Sequence, residues 1–288
     1  MLGAGAPDPL TPPAIVAIRS ILLHVDATPA SIARLTLAHA LADRYGARVT
    51  ALFGVRPHVS RAAFAYSAGA ALRAADEDGV PHQFERARLR ELLAEREPEC
   101  AWCEVVGDSV RHAFAAEAIY ADLVVLGRPS GVDEEGAAPH GFVDSVILES
   151  GAPALVVPYP PCQETVCERV VVAWNGSPSA ARALKAALPL LQRAASVHVA
   201  TWGAQPPIAP FSRLDIRAWL RRHDIDAEIH RGASATRVAN DLIALVADVR
   251  ADLVVMGCYG HSRIREQVFG GVTRALLARL PVPMLMTH

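Results

Sequence analysis

The residues best suited to chemistry lie in one glycine-rich stretch: Met256-Gly257-Cys258-Tyr259-Gly260, nine further residues, then Gly270-Gly271-Val272-Thr273. Glycine has no Cβ to hold a ligand away from the backbone. The unpaired N–H groups and the dipole at a helix N-terminus favour negative charge. A glycine loop leading into a helix is therefore suited to capturing an anion such as phosphate, and Arg263 and Arg265 in the intervening nine residues add cations. Upstream, an apolar run ends on Trp174-Asn175-Gly176-Ser177, a second polar terminus.

Other candidates are weaker. Cys100-Ala-Trp-Cys103 has thiol-redox or half-zinc spacing, but redox pairs of this kind usually open a helix that lowers a thiol pKa. This pair begins a strand, where residues three apart point to opposite faces. Cys162 and Cys167 lie too far along the chain to complete a convincing four-cysteine zinc set. Cys258 and His261 fall inside the glycine stretch, where a small filler and a solvated histidine are the simpler readings. There is no HExxH, no GxSxG elbow and no phosphate loop ending in GK[ST], so no catalytic residue and no metal ligand is assigned.

Composition narrows the classes. The chain has 288 residues, 52% hydrophobic and 20% charged, with a formal net charge of -2. Such a balance lacks the basic footprint of a nucleic-acid binder. Lys185 is the sole lysine among 28 basic residues, a bias toward arginine. No apolar run approaches the ~18 residues of a membrane span. Five cysteines make no disulfide framework, which fits a reducing, cytoplasmic setting. Met1 to Pro13, rich in Gly, Pro and Ala and without a basic, apolar leader pattern, reads as a flexible arm.

The elements that must position the glycine stretch recur. Ala121 to Gly127 (ADLVVLG) returns as Ala251 to Gly257 (ADLVVMG) at an ungapped offset of 130. In the second half, strands are predicted at Arg169 to Trp174, Ser196 to Trp202, Asp226 to Arg231, Leu253 to Met256 and Pro283 to Thr287. Helices are predicted at Ser177 to Leu191, Phe211 to Arg222, Ser234 to Val249 and Arg265 to Leu280. The first half repeats the plan with strands near Arg19 to Val25, Ala47 to Phe53, Cys100 to Val105, Leu123 to Leu126 and Ala154 to Val157. It carries 19 extra residues, placed in His58 to Glu97 as a longer helix or lid. Five strands with crossover helices imply two tandem, doubly wound, five-stranded parallel α/β sheets. The units are an N-terminal arm over 1–18, a first domain over 19–158, a proline-rich linker over 159–167 and a second domain over 168–288. Ligands in such sheets bind beyond the strands' carboxyl ends where strand order reverses, between the first and fourth strands in the order 3-2-1-4-5.

The GxxG, the nine-residue gap and the small pair, set after a duplicated strand, resemble the universal stress protein family, specifically its tandem members, over nearly all of Arg19 to His288. The resemblance implies the adenine nucleotide alpha hydrolase-like fold and an ATP or related adenine-nucleotide site, with Mg²⁺, in the second half. Its nucleotide-contacting motif falls on Gly257, Gly260, Gly270, Gly271, Val272 and Thr273, with Arg263 in the loop. Asn175 stands where the family has an Asp that meets the nucleoside. Trp202 and Met256, at two further strand ends, complete the candidate set. Gly271 replaces the family's Ser or Thr, and Thr273 is the candidate substitute hydroxyl.

At the same offset the first copy keeps Gly127 and Gly141 but has Ser130 for Gly260 and His140 for Gly270. Pro129 removes a backbone donor, and Asp133, Glu134 and Glu135 place carboxylates where phosphate needs cations. Asp26 is kept, but this site reads as degenerate. The resemblance implies a stress-response module acting through conformation or partner choice, with a nucleotide-independent scaffold and a weak ATPase as alternatives. It further implies a pseudo-dimer of the halves through their fifth strands, Ala154 to Val157 meeting Pro283 to Thr287, with association into homodimers open and protein partners unknown. Neither nucleic acid nor membrane is an expected partner.

Overall fold

The structure, a computed structural model, describes residues 18–55, 80–94, 100–106, 110–128, 138, 141–160, 167–202, 215–232, 236–258 and 266–288. The proposed arm up to Ala17, all of the stretch from His58 to Gly79 and most of the linker lie outside these residues.

The first half runs β1 (Ser20–Val25), α1 (Ala30–Tyr45), β2 (Arg48–Val55), α2 (Val80–Ala94), β3 (Ala101–Val106), α3 (Val110–Ala118), β4 (Leu123–Gly127), α4 (Phe142–Ser150) and β5 (Ala154–Val157). The second runs β6 (Arg169–Trp174), α5 (Pro178–Ala186), α6 (Leu188–Leu191), β7 (Ser196–Trp202), α7 (Ile216–Arg221), β8 (Ala227–Gly232), α8 (Val238–Asp248), β9 (Leu253–Gly257), α9 (Glu266–Arg279) and β10 (Met284–Thr287). All ten predicted strands are present. The helix predicted over Ser177 to Leu191 divides into α5 and α6 at Ala187, just before Pro189, whose ring cannot continue an i→i−4 ladder.

The strands form a single ten-stranded sheet of order β3-β2-β1-β4-β5-β10-β9-β6-β7-β8. Each half has the expected order 3-2-1-4-5 and all pairs within a half are parallel. The halves join where β5 meets β10 antiparallel, with Met284 opposite Val156, Leu285 opposite Leu155 and Met286 opposite Ala154. Strands β1, β4, β5, β6, β9 and β10 are near-continuous Val, Leu, Ile, Ala and Met because helices cover both faces. The buried side chains on each face run unbroken from one half to the other. One cluster includes Leu23, Phe53, Leu155, Leu184, Val255 and Leu285, the other Phe114, Phe142, Val156, Val254, Leu276 and Met286.

The duplicated heptad has a structural role at each end. At its start, Asp122 accepts from the backbone N–H groups of Arg19 and Ser20 at 2.9 and 3.0 Å, locking the beginning of β4 to that of β1. Asp252, fully buried, does the same for Glu168 and Arg169 beside β6. These ion–amide bonds fix the register of the central pair in each half. Its terminal glycine then arrives at the carboxyl end, where the candidate site lies.

Candidate functional site

In the second half, β6 and β9 are hydrogen-bonded neighbours, in register up to Ala173 opposite Met256, so Asn175 and Gly257 emerge beside one another. Asn175 is exposed, and its Oδ1 accepts the Ser177 N–H at 3.0 Å, a local turn that leads into α5. Ser177 caps that helix by accepting from Ala180 N–H at 3.2 Å, and Pro178 occupies its first turn as expected. Gly257 is where the absence of a side chain is required: a Cβ there would strike the Ala180 amide nitrogen and the Ser179 carbonyl carbon, with Ser179 Oγ at 2.7 Å. The start of α5 therefore seats on this strand end. Thr287 Oγ1 donates to Ser179 O at 3.0 Å and holds that seat from β10.

The remaining candidates are distributed less uniformly. Met256 is buried in the core, and Trp202 ends β7 with its indole over Gly232 of β8, its Nε1 buried and unpartnered among the described residues. Gly260, Arg263 and Arg265, together with His261, lie outside the described residues. The small pair corrects the sequence reading. Because α9 begins at Glu266, Gly270 and Gly271 lie in its second turn and do not open the helix. Gly271 is exposed and a Cβ there would meet nothing within 4 Å. Thr273, the candidate substitute hydroxyl, is buried. Val272 packs partly against the same core.

Cys258 and Cys100 are thiols whose acidity is suppressed by burial. Cys258 is buried, burial pushes its thiol up to about 12, and its Sγ donates to Thr287 O at 3.3 Å. Cys100, half-buried, is pushed up to about 11, chiefly by burial. Neither thiol supplies the low-pKa thiolate that redox chemistry needs. A surface cavity of about 420 Å³ lined by Arg19, Tyr45, Gly46 and Arg48 lies at the amino ends of β1 and β2 in the first half.

The first copy shows a feature the sequence reading missed. Asp26, retained at the end of β1, is buried and already satisfied: its Oδ1 accepts from Thr28 Oγ1 at 2.6 Å, Thr28 N at 3.1 Å, Ser31 Oγ at 2.9 Å and Arg34 Nη2 at 2.8 Å. Arg34 is only 2% exposed, and its Nε also donates to His24 O at 2.9 Å. Its guanidinium lies where a Cβ on Gly127 would be. An internal cation thus fills the crevice, whereas the corresponding position of α5 is Ala183. Pro129, Ser130, Asp133, Glu134, Glu135 and His140, on which the expectation of a degenerate site rested, lie outside the described residues. The Arg at the fifth position of α1 against Ala in α5 was the visible signal.

Burial alone would raise Asp26, but the Arg34 guanidinium, with the hydrogen bonds from Thr28 and Arg34, leaves it lowered to about 2. His24 sits between Phe142 and Phe114, at ring-centroid distances of 4.5 and 5.6 Å. Burial drives it down to about 3, Arg34 adding to the shift and Asp26 opposing it.

Comparison with known proteins agrees with this fold. Residues 167–288 match the model of the universal stress protein family. A universal stress protein of Synechocystis sp. (strain ATCC 27184 / PCC 6803 / Kazusa) is 28% identical over 176 residues, a match spanning 57% of this chain and 57% of that relative's length. A universal stress protein from Archaeoglobus fulgidus DSM 4304 shares the fold with a TM-score of 0.69 at 15% identity, over 93% of this chain and 97% of that one. A functionally unknown protein from Pseudomonas aeruginosa PAO1 gives 0.57 at 15% identity over 95% and 94%. The C-terminal half is thus similar to the universal stress proteins, and the fold they share extends over both halves. No helix among the described residues is long and apolar enough to cross a membrane.

Two predictions follow from the first-copy cluster. Removing the buried cation by Arg34→Ala should cost about 3 to 5 kcal/mol in urea denaturation, and Asp26→Asn in the same chain should recover part of it, because the loss comes from an uncompensated carboxylate. Additive costs would contradict this. Between pH 6.5 and about 3 the unfolded chain binds a proton at residue 24 that the folded chain refuses, so stability falls with acidification. The Asp26 contribution holds above about 4 and is lost only as pH falls through about 2. The urea midpoint should therefore drop from pH 6.5 to 4, and His24→Leu should flatten that slope.

Proposed function

We propose that the C-terminal half binds an adenine nucleotide, ATP with Mg²⁺, beyond the carboxyl ends of β6 and β9, and that occupancy alters conformation or partner choice in a cytoplasmic stress response. One contrast carries the reading. The first copy fills its crevice with Arg34 and a saturated Asp26, whereas the second has Ala183, an exposed Asn175 and, in α9, a Gly271 open to space. The residues are compatible with the ligand. Asn175 can hydrogen-bond a nucleoside without adding charge, and Gly260, Gly270 and Gly271 permit close approach of backbone N–H groups to phosphate. Arg263 offers a cation to the same anion. Mg²⁺, when bound, neutralises phosphate charge and keeps most of its waters, so it requires few protein ligands.

Gly257 contributes differently from the family expectation. Its missing side chain admits α5, which sets Asn175 and Ser177 in place. The position of Gly270 and Gly271 within α9 supports the second reading, a nucleotide-independent interaction protein. The proposal requires the first turn of α9 to adjust on binding, or the phosphates to be held by the loop alone.

The test is direct. Denatured, freshly purified protein should release adenine nucleotide, and ATP should titrate saturably against wild type. Gly260→Glu should abolish that binding. Gly271→Ser, placed where a side chain meets nothing, should restore one hydroxyl donor and tighten binding by about 3- to 10-fold. Absence of both released nucleotide and saturable binding in wild type contradicts the proposal and favours the scaffold. Turnover above background that vanishes in Gly260→Glu would add a slow ATPase.

A further inference from the structure

At the opposite edge of the second half, β7 and β8 run parallel with His198 opposite Glu228 and Ala200 opposite His230. Residues two apart on a strand share a face, so Glu228 and His230 stand together and His198 joins them from the neighbouring strand. Their donor atoms converge. His198 Nδ1 lies 3.1 Å from His230 Nε2 and 3.5 Å from Glu228 Oε2, and His230 Nε2 lies 3.7 Å from Glu228 Oε1. All three ligand atoms fall within 4.8 Å of one another.

Zinc bound tetrahedrally at about 2.0 to 2.1 Å by N and O ligands separates neighbouring donors by about 3.3 Å. The observed spacings bracket that value, so the three side chains need only small rotations to share an ion. We propose that His198, Glu228 and His230 form a divalent transition-metal site of the zinc class, with a fourth position open to solvent. Two imidazoles and one carboxylate suit Zn²⁺ better than Mg²⁺ or Ca²⁺, which prefer all-oxygen sets. Access is available from one side. The His198 side chain is 13% exposed and that of His230 27%, whereas Glu228, at 67%, borders solvent.

The site has a mechanical consequence. Strand β8 is an edge of the sheet, held by one neighbour. A metal ligated from both β7 and β8 staples that edge and discourages its pairing with another chain. The inference is independent of nucleotide binding, since none of the three residues belongs to the β6–β9 crevice.

The experiment uses the full chain, stripped of metal with a chelator. Zn²⁺ should bind at one equivalent and raise the melting temperature, and Co²⁺ should develop the visible bands of a tetrahedral site that Zn²⁺ displaces. His198→Ala with His230→Ala should lose both responses, and the exposed Glu228→Gln, which cannot unfold a core, should weaken binding by ~10-fold or more. His112→Ala with His223→Ala should change nothing. Failure of wild type to bind Zn²⁺, or equal affinity in the folded Glu228→Gln protein, overturns the proposal.

Discussion

The antiparallel pairing of β5 with β10 is the constraint from which the rest follows. Three register pairs join two parallel sheets, cover two hydrophobic strands that would otherwise be edges, and let the core on each face run through both halves. Contacts beside it reinforce the junction: Tyr45 donates to Pro189 O at 3.2 Å, Arg44 to Arg193 O at 2.8 Å, and Arg193 lies over the Tyr45 ring. Because every strand within a half is parallel while β5 and β10 oppose, the carboxyl ends of the two halves face opposite ways. The two crevices cannot share residues, and each half has to furnish its own.

That independence lets the copies diverge without loss of fold. Asp122 and Asp252 retain the same clamp at the amino ends, so the central strands stay in register in both. Gly127 and Gly257 are both crowded from the first helix of their unit, but by different groups. In one the crowding comes from the Arg34 side chain, in the other from the α5 backbone itself. Where α1 carries the buried guanidinium of Arg34, α5 carries the methyl of Ala183, itself buried in the core. The carboxylate follows the cation: Asp26 is buried with Arg34, whereas uncharged Asn175 stays in solvent.

The fold was legible because its signals are strong and redundant. Continuous apolar runs such as Leu253 to Met256 have few alternatives in a repeating α/β pattern, and the duplicated heptad fixed the correspondence between halves. The site was less legible. Side-chain reach across a sheet is invisible to linear spacing, so nothing in the spacing pairs Arg34 with Gly127, and His198, Glu228 and His230, 30 or more residues apart for the first pair, matched no motif. Glycines conveyed where backbone comes close but not to what: Gly257 meets α5, and Gly270 with Gly271 sits inside α9. Burial, which decides the chemistry of Cys258 and Thr273, depends on packing that local composition does not encode.

The central claim is that one half carries the working crevice. Amide hydrogen exchange followed by mass spectrometry, with and without ATP and Mg²⁺, tests it most directly. The account predicts protection at the ends of β6 and β9 and in the first turns of α9, with β1, β4 and α1 unchanged around Arg34. Protection in the first half, or none in the second at saturating nucleotide, would contradict it.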